Sequence, residues 1–289
     1  MKNAECRIRI GNICLAVTSD YPGFCEHFKR FYGNGSTGVP DFSVKVHIQD
    51  RVKRQDITRP LHTFRSQRPF IGEQFSLYDG MIRGHLDLPA GRCTLWVELA
   101  LLASDYLPLF QDLLFRDLFH HVYRAKAEGR PTKQFIVHGC GVAHRSRGFL
   151  FLGPSGSGKS TIAALSNGHA ILHDEAVLLS KEDEEYRIES TPYASGFPDL
   201  EKTAVPLKAA FFLAHSDTNE ILNINRSEAA GRLMQLISPP LQGNAADRRW
   251  STDEILSFSC RAVEAVLFSV LRFTNRNGGF WDDIDRFVG

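Results

Sequence analysis

Residues Gly153-Pro154-Ser155-Gly156-Ser157-Gly158-Lys159-Ser160 follow the spacing Gly-x-x-x-x-Gly-Lys-Ser. Glycines at these positions let successive backbone N–H groups turn inward and close around an anion. A lysine directly after the last glycine adds a charge that reaches β- and γ-phosphates, and the following hydroxyl is a ligand for Mg²⁺. The flanks suit this chemistry. Gly148-Phe149-Leu150-Phe151-Leu152 is an apolar run fit for a buried strand, and Thr161-Ile162-Ala163-Ala164-Leu165 opens a helix behind the loop. Gly makes up about 7% of average proteins, so a chance match in a chain of this length is on the order of one in a hundred. The segment reads as a phosphate-binding P-loop. Gly153, Pro154, Ser155, Gly156, Ser157, Gly158, Lys159, Ser160 and Thr161 are the expected nucleotide contacts, and ATP with Mg²⁺ is the expected ligand pair.

A P-loop enzyme also needs a carboxylate near its metal, usually at the end of an apolar strand. Asp174-Glu175 follows Ala170-Ile171-Leu172-His173 and is the best such pair in the chain. One carboxylate would hold Mg²⁺ or its water shell, and the other would take a proton from an attacking hydroxyl. His138 lies on the strand-like run Gln134 to Ala143, one strand before the P-loop strand. If those two strands pair, His138 comes near the γ-phosphate. The adjacent pair His120-His121 points two ways from a helix and is poor metal geometry.

The elements that must position these groups fall into two parts. Residues 1–130 read as a β-rich N-terminal region closed by a long helix. Residues 131–289 read as the catalytic domain. In the first part, Gly11-Asn12 joins Cys6–Ile10 to Ile13–Val17 as a two-residue hairpin. Phe42–Ile48 alternates with period two, Asp79-Gly80 suggests a second hairpin, and Cys93–Leu99 reads as a strand. Short helical potential lies at 20–32 and a long amphipathic helix at 106–128, stopped by Gly129-Arg130-Pro131. In the second part, Ala170–Leu179, Tyr186–Glu189, Leu207–Leu213 and Val266–Phe273 read as strands. Lys181–Glu185 reads as a solvated hairpin tip. Ser227–Leu236, with Ser227 as N-cap, Thr252–Val263 and Trp281–Phe287 read as helices. The fold class expected is α/β (α+β), a mixed β core with flanking helices.

Composition narrows the function. The chain has 289 residues with 34 basic and 33 acidic side chains, a net charge of +1. Nothing in that balance favours nucleic acid, and the short basic runs Arg51–Arg54 and Arg248-Arg249 read as solvated surface. The N-terminus lacks the apolar stretch of a signal peptide, and no run is long enough to span a membrane. Six scattered cysteines without a Cys-x-x-Cys pair suit reduced thiols. The expected location is the cytoplasm.

The run from about 135 to 180 resembles the catalytic core of the HPr kinase/phosphorylase family. His138-Gly139, Gly153 to Thr161, Gly168-His169 and Asp174-Glu175 stand where that family has its His-Gly strand, P-loop, Gly-His and paired acids. Thr191-Pro192-Tyr193-Ala194-Ser195-Gly196 and Pro206–Leu213 resemble HPr-kinase-related proteins of bacterial gene clusters, some of them peptide-modifying. The resemblance covers about 133–280. It implies a fold akin to HPr kinase and phosphoenolpyruvate carboxykinase, and transfer of a phosphoryl group from ATP to a serine-type hydroxyl. The acceptor would be a peptide, a protein or a small molecule. By this resemblance Lys159 holds phosphate, Ser160 and Glu175 hold Mg²⁺, Asp174 is the base and His138 an auxiliary group. Glu175 stands where the family has a second Asp. Arg187, Arg226, Arg261 and Arg272 are candidates for further phosphate contacts. The family's oligomers imply self-association. The competing readings are an ATP-binding regulatory or scaffold protein, and a different P-loop NTPase.

Overall fold

The computed structural model describes residues 4–21, 23–25, 39–50, 74–77, 81–102, 118–119, 122–123, 126–127, 133–193, 195–197, 199–237 and 251–289. It is a mixed α/β protein with two sheets and several helices. The chain divides into two compact units. One comprises residues 1–130 with 192–194 and 240–249, and the other 131–191, 195–239 and 250–289.

The first unit is built on a six-stranded sheet. Its strands are β1 (Ala4–Ile10), β2 (Ile13–Ser19), β3 (Phe42–Gln49), β4 (Gln74–Leu77), β5 (Ile82–Asp87) and β6 (Arg92–Glu98), in the order β1-β2-β3-β6-β5-β4. The β1–β2 hairpin turns at Gly11-Asn12, as its sequence predicts, with Gly11 at φ 55°. β3 runs parallel to both β2 and β6, and its alternating burial follows its period-two sequence. A four-residue helix, α1 (Leu99–Leu102), directly follows β6. Of the helix expected over 106–128, residues 118–119, 122–123 and 126–127 are described and are helical, as are 23–25 of the one expected over 20–32; the rest of both, His120-His121, the Asp79-Gly80 turn and both short basic runs lie outside the described residues.

Asp41 ties this unit together just ahead of β3. Its carboxylate accepts from the Cys14 backbone N–H at 2.8 Å and from Lys126 Nζ at 2.6 Å. Burial pushes its pKa up. The Lys126 hydrogen bond, the Cys14 N–H and the Lys126 charge outweigh that and leave it below the usual carboxylate value.

The second unit holds an eight-stranded sheet and the sequence features of interest. Its strands are β7 (Gln134–His144), β8 (Arg147–Leu152), β9 (Ala170–His173), β10 (Ala176–Glu182), β11 (Glu185–Ser190), β12 (Val205–His215), β13 (Glu220–Asn223) and β14 (Leu267–Phe273). The order is β11-β10-β7-β8-β12-β14-β13, with β9 on β7. β11 also pairs β12 through Arg187–Pro206 and Ile188–Val205, so β7, β8, β12, β11 and β10 form a closed ring. The β7–β8 turn holds Arg145 and Ser146 at φ 50° and 62°, the backbone of a two-residue hairpin turn.

Helices cover both faces of this sheet. α2 (Lys159–Leu165) and α5 (Phe280–Val288) pack on one face, where Ile162, Ala163, Phe280, Trp281 and Ile284 meet Val142, Phe149, Phe151, Phe211 and Phe273. α3 (Arg226–Leu236) and α4 (Thr252–Ala265) pack together on the other. There Phe258 lies edge-on to Phe135 at 4.8 Å, and Arg232 stacks over Phe212. The N-cap of α3 is Asn225, not Ser227. Asn225 accepts from the Glu228 N–H, which moves the helix start to Arg226. α2 starts at Lys159, two residues before Thr161, where the expected helix opens. The expected strand 170–179 is two strands, interrupted at Asp174-Glu175. Its hairpin tip is shorter than expected, because Lys181, Glu182 and Glu185 pair in the ladder. β13 carries no strong sequence signal; its pairing with β14 decides it.

A carboxyl whose pKa is lowered on folding stabilises above its unfolded value and loses that contribution as pH falls through the folded value. Asp41→Asn should therefore lower stability most at neutral pH. The gap in urea midpoint between variant and parent should narrow as pH falls below about 4.

Candidate functional site

Strand β7 gathers the site. Its C-terminal half pairs β8 on one edge and β9 on the other, while its N-terminal half pairs β10. His173 lies opposite Gly141 and Ala176 opposite His138, three residues on along both strands. No residue is inserted between β9 and β10, so Asp174 and Glu175 face Cys140 and Gly139. The Gly139 N–H donates to the Glu175 carbonyl at 3.1 Å. β8 leads straight into residues 153–158, so its pairing with β7 sets the loop beside His138.

The loop is folded inward on its carbonyls. Pro154 accepts from the Ser157 N–H in a tight turn. Gly153 and Pro154 both accept from Lys159 Nζ at 3.1 Å, Gly156 accepts from His215 Nε2 at 3.1 Å, and Gly158 accepts from the Ile162 N–H. No side chain caps α2. Gly158 sits at φ 100°, and a Cβ there would come within 2.5 Å of the Phe273 ring, so both backbone angle and space demand glycine. Above Gly156 the space is open. Ser160 is exposed at the start of the helix, and Ser157 Oγ is buried with no hydrogen-bond partner.

Lys159 is only 4% exposed. Besides the two carbonyls, its Nζ lies 2.7 Å from His138 Nε2 and 3.8 Å from Glu175 Oε2. An ammonium can only donate, so His138 Nε2 accepts and the ring proton resides on Nδ1. Nδ1 lies 3.2 Å from Glu175 Oε1, so its proton is on the side of that carboxylate. The imidazole is therefore neutral, bridging a carboxylate and an ammonium. Burial holds the Lys159 pKa below the ordinary lysine value, against the opposing pull of Glu175 and Asp174. Burial and the nearby Asp174 charge push the Cys140 thiol strongly up, which keeps it protonated and inert.

The acid pair has its own supports, which the sequence does not single out. His173 is fully buried, and its Nδ1 accepts from the backbone N–H groups of Glu175 at 3.0 Å and Ala176 at 2.9 Å. Accepting twice, Nδ1 carries no proton. His173 is neutral with its proton on Nε2, and its 3.8 Å approach to Asp174 is no ion pair. Its role is to fix the bend that aims Asp174 and Glu175. Asp174 is 6% exposed and accepts from Ser195 Oγ at 2.6 Å, while Glu175 is about half exposed. Gly196 stands so close to Asp174 Oδ2 that a Cβ would lie 3.2 Å from it.

The structure thus brings His138, Lys159, Glu175 and the loop into one group joined by hydrogen bonds and ion-pair contacts, with Asp174 close enough for its charge to act on Lys159. Three of the arginines have partners elsewhere. Arg187 pairs with Glu185 and Glu182, Arg261 donates to Ser257, and Arg272 pairs with Glu220; Arg226 opens α3. Among the described residues no group of three or more His, Cys, Asp or Glu side chains could hold a metal ion. No helix among them is long and apolar enough to cross a membrane, and none of the six cysteines is in a disulfide.

His173→Leu removes the acceptor of two buried N–H groups. It should destabilise the second unit by about 1–3 kcal/mol per orphaned N–H, read as a lower denaturant midpoint. In the parent protein, the ¹⁵N resonances of His173 should show the Nε2–H tautomer.

Residues 111–289 match the family model described as ScmC, SynChlorMet cassette protein ScmC. The match covers more than half of the chain, which belongs to that family. None of the curated proteins matches it.

Proposed function

Taking the chain as a member of the ScmC family, we propose that it is an ATP-dependent phosphotransferase of HPr-kinase-like type. It would move the γ-phosphoryl group of Mg-ATP to a serine-type hydroxyl on a peptide, protein or small molecule. One observation carries the reading: Lys159 Nζ lies 2.7 Å from His138 Nε2 and within 3.8 Å of Glu175, at the closed end of a glycine loop. A P-loop lysine, a neutral histidine and a carboxylate pair converge where a γ-phosphate would lie.

The residues present fit such a ligand. With the carbonyls of Gly153, Pro154, Gly156 and Gly158 engaged by the protein's own donors, the loop's N–H groups other than that of Ser157 are left for an anion. The uncapped first turn of α2 and the open space over Gly156 lie on that loop. Phosphate oxygens would replace the Gly153 and Pro154 carbonyls as acceptors for Lys159. Ser160 and Glu175 would hold Mg²⁺, with phosphate oxygens and water completing its shell. When bound, the metal neutralises charge building on the phosphoryl oxygens. Lys159 stabilises the same charge from a desolvated position, where each electrostatic contact counts for more than in water. His138, neutral and held by Glu175, keeps Lys159 oriented. Asp174 accepts the proton of the acceptor hydroxyl.

A second reading is binding of ATP without transfer, and on either reading the nucleotide must reach Lys159. Its ammonium is already satisfied by Gly153, Pro154, His138 and Glu175, so a nucleotide must displace contacts rather than fill a vacancy. The family's description as a cassette protein makes other products of the same cassette the first acceptors to try.

Lys159→Ala should abolish Mg-ATP binding in calorimetry. Asp174→Asn should bind Mg-ATP as the parent does, yet lose phosphate transfer by about 10²- to 10⁴-fold. Binding with no transfer to any of a broad panel of hydroxyl acceptors would favour the second reading.

A further inference from the structure

Asp174, the base in the proposed reaction, already holds a hydroxyl. Ser195 Oγ donates to Asp174 Oδ1 at 2.6 Å, the contact that a phosphoryl acceptor must make with its base. Ser195 Oγ also accepts from the Phe197 N–H at 3.0 Å. A hydroxyl has one proton and two acceptor lone pairs. With the proton on Asp174 and one lone pair on Phe197, the other lone pair is free to attack. Gly196, lacking a side chain, lets the segment lie against Asp174 Oδ2. Ser195 is half-buried rather than sealed. It is part of the second compact unit, the one that contains the loop, Lys159 and Asp174.

We propose that Ser195 is a phosphorylation site of the protein itself, modified in cis from Mg-ATP bound on the loop. The proposal rests on the phosphotransferase reading above. In the step, Ser195 Oγ forms a bond to the γ-phosphorus as the bond from that phosphorus to the β–γ bridging oxygen breaks. The Oγ proton passes to Asp174 Oδ1, and ADP leaves with the bridging oxygen. The product cannot rest where the serine was. A phosphoserine carries a charge of about −1.5 to −2 near neutral pH, and beside the Asp174 carboxylate it is repelled. Modification therefore drives residues 195–197 off the base and frees Asp174 for an external hydroxyl. The serine acts as an internal first acceptor whose modification opens the site.

The test needs only the full chain and Mg-ATP. The parent protein, Ser195→Ala, Ser195→Thr and Asp174→Asn are each assayed for Mg-ATP binding by calorimetry. Each is then incubated with Mg-ATP and followed by intact mass, with peptide mapping of the product. The proposal expects all four proteins to bind Mg-ATP. The parent gains one phosphoryl group, mapped to Ser195, at a rate per molecule that does not change with protein concentration. The gain is absent in Ser195→Ala and Asp174→Asn and is kept in Ser195→Thr. A parent protein that binds Mg-ATP but stays unmodified at Ser195, or is modified only at another residue, overturns the proposal. So does a rate per molecule that rises with protein concentration. In none of these cases does the phosphotransferase reading itself fall. A parent protein that does not bind Mg-ATP overturns both.

Discussion

Everything in the second unit depends on the pairing of strand β7 along both its edges. On one edge β8 carries the chain into the glycine loop, and on the other β9 and β10 carry it through Asp174-Glu175. Residues 138, 159 and 175 are distant in sequence, but strand pairing fixes two of them to within one residue of each other across the ladder. The third arrives because α2 follows the loop without a spacer. The site is thus set by register. A slip of one residue in β7 would turn His138 to the opposite face and separate it from Lys159.

The electrostatics of the site are those of a charge taken from water and given protein partners. Lys159 loses hydration and gains two carbonyls, an imidazole and a carboxylate. Each partner is itself held: His138 by Glu175, and the Glu175 backbone by His173 and Gly139. Two histidines in this network are neutral for the same reason, since each is obliged to accept at one ring nitrogen. They differ in purpose. His138 faces the lysine, whereas His173 is spent wholly on the backbone bend. A buried histidine that accepts from two main-chain N–H groups works as a structural staple, and its place next to the acid pair makes it a positioning residue.

The sequence made the loop and its neighbours legible because they are written in short-range rules. Glycine spacing, an apolar strand before it and a helix after it are local, as is the Gly11-Asn12 hairpin. His138, Lys159, Asp174 and Glu175 could be singled out for the same reason. The rest is tertiary. Ser195 lies 21 residues from Asp174, and its hydrogen bond to that carboxylate follows from a loop path with no periodic pattern. His215 reaches the Gly156 carbonyl from 59 residues away. The break in the strand at Asp174-Glu175 also escapes a periodicity reading, because apolar runs flank it on both sides and the bend is held by His173's two hydrogen bonds to the backbone. The misplaced cap of α3 has a simpler cause: Asn225 and Ser227 are both good cap residues, and the bond to Glu228 decides between them.

The ring of β7, β8, β12, β11 and β10 closes because β11 returns to pair with β12 at Arg187–Pro206 and Ile188–Val205. Exposed strand edges invite pairing with other chains, and closure consumes them. Here it spends the edge of β11 on the molecule's own β12. Among the described residues the sheet continues past the ring through β9 on β7 and through β14 to β13, and both β9 and β13 are strands of four residues. An edge that short offers little backbone to a neighbouring chain. Assembly of copies by sheet extension is therefore disfavoured at those edges, and a partner recognising this unit would read side chains rather than unpaired backbone there.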